Sequence, residues 1–209
     1  MVLPEKPRPG MNPQWLEQVY QKVRETYHEN AFALFSGKAG IGDAIEQADT
    51  VLRESDEIST VLIAGVDSYF TSETIHHYLI NDRLMTEANS DGFLPGEAAG
   101  AVLLQRHYPG ASSGLHILGY GIDYEDAHIL QTERKMKAVG LSGAINRAIE
   151  SSGSLLSQTQ FRMSDVSGES FYFRESTLAL TRCMDKKVPE YPHFTLSTKV
   201  GEVGAACGV

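Results

Sequence analysis

The order of apolar and polar positions divides the chain into alternating helical and extended segments. Four prolines, Pro4, Pro7, Pro9 and Pro13, predict an extended leader. Trp15, Leu16, Val19, Tyr20 and Val23 then recur at helical spacing, with Asn12 ahead of Pro13 as the cap. Residues 32–35 form a short apolar strand candidate. Ile45, Ala48 and Leu52 share one face of a helix predicted over 42–54. The unbroken apolar run 60–66 reads as a strand covered on both faces. A helix over 72–80 follows, with Ser72 as its cap. Strands are predicted over 99–105 and 115–121, separated by the turn His107-Tyr108-Pro109-Gly110. Leu141, Ala144, Ile145, Ala148 and Ile149 mark a helix closed by Gly153. A further helix over 170–183 and a last strand over 194–198 complete an α/β pattern.

Between two of these elements lies the most distinctive stretch, Ser90-Asp91-Gly92-Phe93-Leu94-Pro95-Gly96-Glu97-Ala98-Ala99-Gly100-Ala101. Gly92 and Gly96 are expected to adopt backbone angles closed to other residues, and Pro95 removes a donor where no ladder is wanted. The small run after Glu97 leaves room for a second backbone before Val102, Leu103 and Leu104 enter a core.

Composition narrows the class. The chain has 209 residues, 42% hydrophobic and 22% charged, enough for a sizeable core. A net charge of -9 argues against a nucleic-acid or anionic-membrane partner, and no run approaches a membrane span. Cys183 and Cys207 do not make a disulfide framework. Both read as small buried residues in a reducing compartment, with the cytoplasm as the expected location.

The glycine bend resembles the "DGF-x-x-GE-x-A" segment of β-ketoacyl synthases, condensing enzymes of the thiolase superfamily. Other stretches resemble that family in the same order. Ile41-Gly42-Asp43-Ala44-Ile45-Glu46-Gln47-Ala48 is similar to the helix after the nucleophile, and Val61 through Asp67 to the next strand. Ile117-Leu118-Gly119-Tyr120-Gly121 resembles the strand that opens the second half. Ser197-Thr198-Lys199, with Gly201 through Ala206, is similar to the late lysine and glycine-alanine motif. The resemblance implies a leader and helix over 1–35 and a partial thiolase-like domain over 36–209. Within that domain, 36–106 would end the first half and 115–209 begin the second. The layered fold would be incomplete at both ends.

The family's chemistry rests on a Cys-His-His or Cys-His-Asn set, with the cysteine acylated and the imidazoles assisting. The resemblance puts the nucleophile within Ala33-Leu34-Phe35-Ser36-Gly37-Lys38, which has no cysteine. It puts one histidine near 163–168, where Asp165 stands instead, and the other at Glu202. Lys199 and Glu175 match supporting positions, and Asp91 and Glu97 keep the acidic places of the bend. The pattern implies a non-catalytic relative, like the chain-length-factor partners of the superfamily. Its role would be structural, or to hold an acyl thioester or acyl carrier protein, as a homo-oligomer or complementing subunit.

The alternative is an acyltransferase with a site rearranged around Ser36, Asp165, Glu202 and Lys199. Against it, Ser36 reads more readily as a turn serine, with no histidine at hand to take its proton, and Glu202 as a carboxylate paired with Lys199. Neither metal nor cofactor is expected. His76 and His77 are adjacent on a helix, about 100° apart, and do not share a site. Gly119-Tyr120-Gly121 lacks the glycine-led helix start of a dinucleotide fingerprint.

Overall fold

The computed structural model describes residues 1–6, 8–28, 30–108, 110 and 114–209. Pro7 of the leader and Pro109 of the expected turn lie outside them.

Helix α1 (Pro13–Thr26) starts as its sequence requires: the Asn12 side chain accepts from the backbone N–H groups of Gln14 and Trp15, and Pro13 takes the first helical position. Helix α2 (Gly40–Glu54) buries Ala44, Ala48 and Leu52. Strand β1 (Thr60–Ser68) pairs antiparallel with β2 (Glu97–Gln105), Thr60 opposite Gln105 and Ser68 opposite Glu97. Between them lies α3 (Ser72–Ile80), capped by Thr71, whose hydroxyl accepts from Thr74 N, and not by Ser72. Helix α4 (Val139–Ser152) ends at Gly153 with φ 64°. Helix α5 (Ser170–Cys183) follows β3 (Arg162–Ser164), which runs parallel to β4 (His193–Thr195). A short helix α6 (Ser197–Val200) and a 3-10 turn Gly204–Ala206 close the chain.

The expected strand over 32–35 is reduced to one bridge, Leu34 beside Val2. That bridge reveals what the extended leader does. Val2 and Leu3 are fully buried, and Val2 lies between Leu34 and Gly65. Val2, Ala44, Ala48, Ile63 and Ala205 form one core, with Ile41, Ile45, Leu104 and Val209 packed against it. Tyr69, Tyr78, Leu84 and Phe93 form a second, its rings meeting at centroid distances of 5.1–5.6 Å in tilted and edge-on pairs.

Three further expectations change. Residues 115–121 form no strand: Gly119 and Gly121 lie so close to the α4 backbone at Ala144, Ala148 and Ser152 that a β-carbon would collide. The last strand stops at Thr195, and Thr198 belongs to α6. Strand β1 is covered on one face only. Ile63, Gly65 and Asp67 are buried, while Leu62 is 56% and Val66 36% exposed on the other face.

The bend before β2 also works differently from its sequence reading. Neither Gly92 nor Gly96 has a positive φ. Both are glycine because backbone passes where a β-carbon would sit, 2.5 Å from the Leu84 carbonyl carbon at Gly92 and against the Val200 oxygen at Gly96. The anticipated close approach at the small run is present. A β-carbon on Gly65 would lie 2.5 Å from Ala205 O, and one on Gly100 3.2 Å from the Val209 carbonyl carbon.

Two polar ties join the bend and the segment before it to the start of α5. Arg83 makes a two-pronged ion pair with the buried Glu169, at 2.7 and 2.8 Å. Asp91 accepts from Ser170 N (2.6 Å) and Ser170 Oγ (2.7 Å), capping α5 from a distant segment and holding the Asp91 carboxyl below its ordinary pKa. Asp91→Ala is expected to cost about 1 kcal/mol in urea unfolding, the ordinary value of a lost cap.

Candidate functional site

Three segments meet at the carboxylate of Glu202. The first is the 3-10 turn Gly37–Ala39 that leads into α2 and carries Lys38. The second is the loop after β3, which carries Asp165 and Ser167. The third is the stretch after α6, where Gly201 turns with φ 74° and sets Glu202 beside Pro95. Backbone bonds on both sides fix Glu202: its N–H donates to Leu94 O (2.7 Å) and its carbonyl accepts from Gly96 N (2.9 Å).

Its side chain is buried and fully engaged. Oε2 accepts from Lys38 Nζ at 2.9 Å and from Ser167 Oγ at 2.7 Å, and Oε1 accepts from Gly204 N at 3.0 Å. Lys38 also reaches Asp165 at 3.3 Å and lies 4.9 Å from the Tyr172 ring centre. Burial works against the Lys38 ammonium, but Asp165 and Glu202 outweigh it and hold its pKa above the ordinary lysine value. Burial pushes the Cys207 thiol up to about 11, helped by Asp165 and Glu202 and opposed by Lys38. Burial also raises the Glu175 carboxyl, with Glu125 and Asp165 adding to the effect.

The structure thus brings Asp165, Glu175 and Glu202 into one electrostatic neighbourhood, but leaves out two other candidates. Lys199 is exposed on α6, and the partner of Glu202 is Lys38, not Lys199. Ser36 precedes a helix start, as its sequence suggested, but is exposed and makes no capping bond. Lys38, Ser167 and Cys207 join the site without having been singled out for it. One signal for Lys38 was present: a long cation among Gly37, Ala39 and Gly40, inside the stretch expected to hold the nucleophile.

A second carboxylate anchors the same terminal stretch. Asp67, at the buried end of β1, receives both terminal nitrogens of Arg8 (2.6 and 2.8 Å) and Ala205 N (2.8 Å). Arg8 is itself buried, over the Tyr69 ring. Among the described residues no group of three or more His, Cys, Asp and Glu side chains is placed to hold a metal, and no helix is long and apolar enough to cross a membrane.

Solved structures with this architecture have a common character. A type II PKS acyl-carrier protein in complex with its ketosynthase (AntDE:AntF) matches over 91% of this chain and 51% of that one, with TM-score 0.75 and 16% identity. The oxazolomycin ketosynthase domain OzmH KS7 of Streptomyces albus JA3453 matches over 99% and 41%, with TM-score 0.75 and 16% identity. The ishigamide ketosynthase/chain length factor matches over 94% and 51%, with TM-score 0.72 and 19% identity. The fold is that of the β-ketoacyl synthases. The chain spans about half the length of the ketosynthase structures it matches. No protein-family model matches it, and no curated protein does so significantly.

Removing one member of the Glu202 cluster strands the others. Glu202→Ala is expected to lower unfolding stability by about 2–4 kcal/mol, because it leaves a largely buried ammonium with only Asp165. Lys38→Met combined with Glu202→Leu is expected to cost less than the sum of the two single changes, measured as a double-mutant cycle in urea.

Proposed function

We propose that this chain is a non-catalytic β-ketoacyl synthase-like subunit, with a structural role or one in holding an acyl thioester or acyl carrier protein. The observation that carries this reading is the Lys38–Glu202–Ser167 contact. Segment 33–38 and the positions near 163–168 and at 202, where the resemblance puts the nucleophile and two histidines, converge in space with an ammonium, a hydroxyl and a carboxylate. A protonated amine has no lone pair for attack on a thioester. Burial, with Asp165 and Glu202, pushes the Cys207 thiol up to about 11, which disfavours the thiolate and speaks against Cys207 as a replacement nucleophile.

The alternative acyltransferase reading keeps one favourable observation. Glu175 carries a raised pKa beside Asp165, as a general acid would need. Against that reading, Ser36 is exposed with no capping bond and Lys199 is exposed on α6. Intact-mass spectrometry after incubation with acyl thioesters of several lengths separates the two. No stable adduct is expected on the folded chain. An acyl mass shift mapped to Ser36, Lys38 or Cys207 would show a working nucleophile.

The open face of the β1–β2 pair supports a complementing or self-associating subunit. Leu62, Ala64 and Val66 stand opposite Leu103, Ala101 and Ala99, six apolar residues in register with no charge among them. Leu103 is 61% exposed, and such a patch usually marks an interface. Among the matched structures, one is a ketosynthase with a chain length factor and another a ketosynthase with its acyl-carrier protein. Two free cysteines support a cytoplasmic setting. Sedimentation at micromolar concentration is expected to show association, and Leu103→Asp is expected to abolish it with the melting temperature preserved. A strictly monomeric wild-type profile would count against self-association.

A further inference from the structure

Strands β3 and β4 have three residues each, so their backbone ladder is short. A row of side chains reinforces it. Arg162 Nη1 donates to Ser176 Oγ on α5 at 3.3 Å, and Arg162 Nη2 faces His193 Nδ1 at 3.2 Å. On the far side of the ring, His193 Nε2 faces Ser164 Oγ at 2.6 Å.

A guanidinium can only donate. His193 Nδ1 is therefore the acceptor, the ring proton sits on Nε2, and Nε2–H donates to Ser164. The imidazole is neutral and held in one tautomer. This geometry also removes the pair from nucleophilic chemistry, since a nitrogen that already carries the proton cannot take one from Ser164.

We propose that Arg162, His193 and Ser164 form an acid-sensitive latch that clamps β3 to β4 while His193 is neutral and releases them when the ring takes a second proton. Protonation at Nδ1 turns the acceptor into a donor and sets two cations face to face. The groups around the ring offer little compensation. Arg162 and Ser164 come from β3, and Ser176 of α5 is already bonded to Arg162. Tyr191, just ahead of β4, is bonded through its hydroxyl to Thr159. Among the described residues Arg162 is the charged group that bears on His193, and its own Nε is buried without a hydrogen-bond partner.

Burial first, and Arg162 second, push the His193 pKa below the ordinary imidazole value. A lowered folded-state pKa means that the unfolded chain binds the proton more readily. The latch therefore contributes fully above about pH 6.5 and is lost as pH falls from there through the folded-state pKa. Release would reach the Glu202 site. Strand β3 runs straight into Asp165 and Ser167, and Ser197, two residues past β4, donates to Val166 O at 2.6 Å.

The test is imidazole NMR on the full chain, followed by amide exchange. At pH 7.5 His193 should show the Nε2–H tautomer, with a titration midpoint below 6.5 that Arg162→Gln moves upward. Between pH 7.5 and 5.0, protection of residues 162–167 and 193–195, corrected for intrinsic rates, should fall about tenfold with that midpoint. Protection in α2 and β1 should hold, and His193→Gln should remove the pH dependence. An Nδ1–H tautomer, a midpoint at or above 6.5, or protection that stays flat through the titration would overturn the latch. Should His193→Gln fail to fold, the wild-type tautomer, midpoint and exchange profile decide alone.

Discussion

Burying a carboxylate costs several kcal/mol unless its oxygens are satisfied, and Glu202 is buried where three parts of the chain meet. Its solution organises the structure. One oxygen takes Lys38 and Ser167, the other a backbone N–H two residues on, and the main chain on either side is bonded to the glycine bend. Lys38 comes from the start of α2, Ser167 from the loop after β3, and the bend from the approach to β2. A single ionised group therefore fixes the relative position of segments up to 164 residues apart in sequence. The Asp67 carboxylate does the same at the other end of this terminal stretch, through Arg8 and Ala205.

Much of the helical architecture was legible from the chain. Asn12 before Pro13, Ile45 with Ala48 and Leu52, and Gly153 after an apolar stripe all act through short-range geometry, which a sequence carries explicitly. Strands fared less well, because a strand exists only with a partner. Residues 115–121 have the composition of a strand, but their glycines press against α4 instead. The run 60–66 was read as covered twice and is covered once. Hydrophobicity reports what needs cover, not what supplies it.

The site shows the same divide. Positions 165 and 202 could be placed by resemblance, and the structure brings both to Lys38. The assignment of Lys199 to Glu202 followed nearness in sequence, whereas the true partner is a tertiary contact that no local rule reports. The glycine bend was recognised for the right residues and the wrong reason. Gly92 and Gly96 are there to admit neighbouring backbone, which depends on what else folds nearby.

The division of the Glu202 cluster among three segments has an evolutionary consequence. A change at Lys38 alone leaves two acidic groups without their cation, and a change at Glu202 alone leaves an ammonium, a serine hydroxyl and a backbone N–H short of an acceptor. Each single step away from the present arrangement passes through a less stable protein, even where the double step would not. The cluster therefore acts as a ratchet: drift at any one of its positions is opposed by the other two.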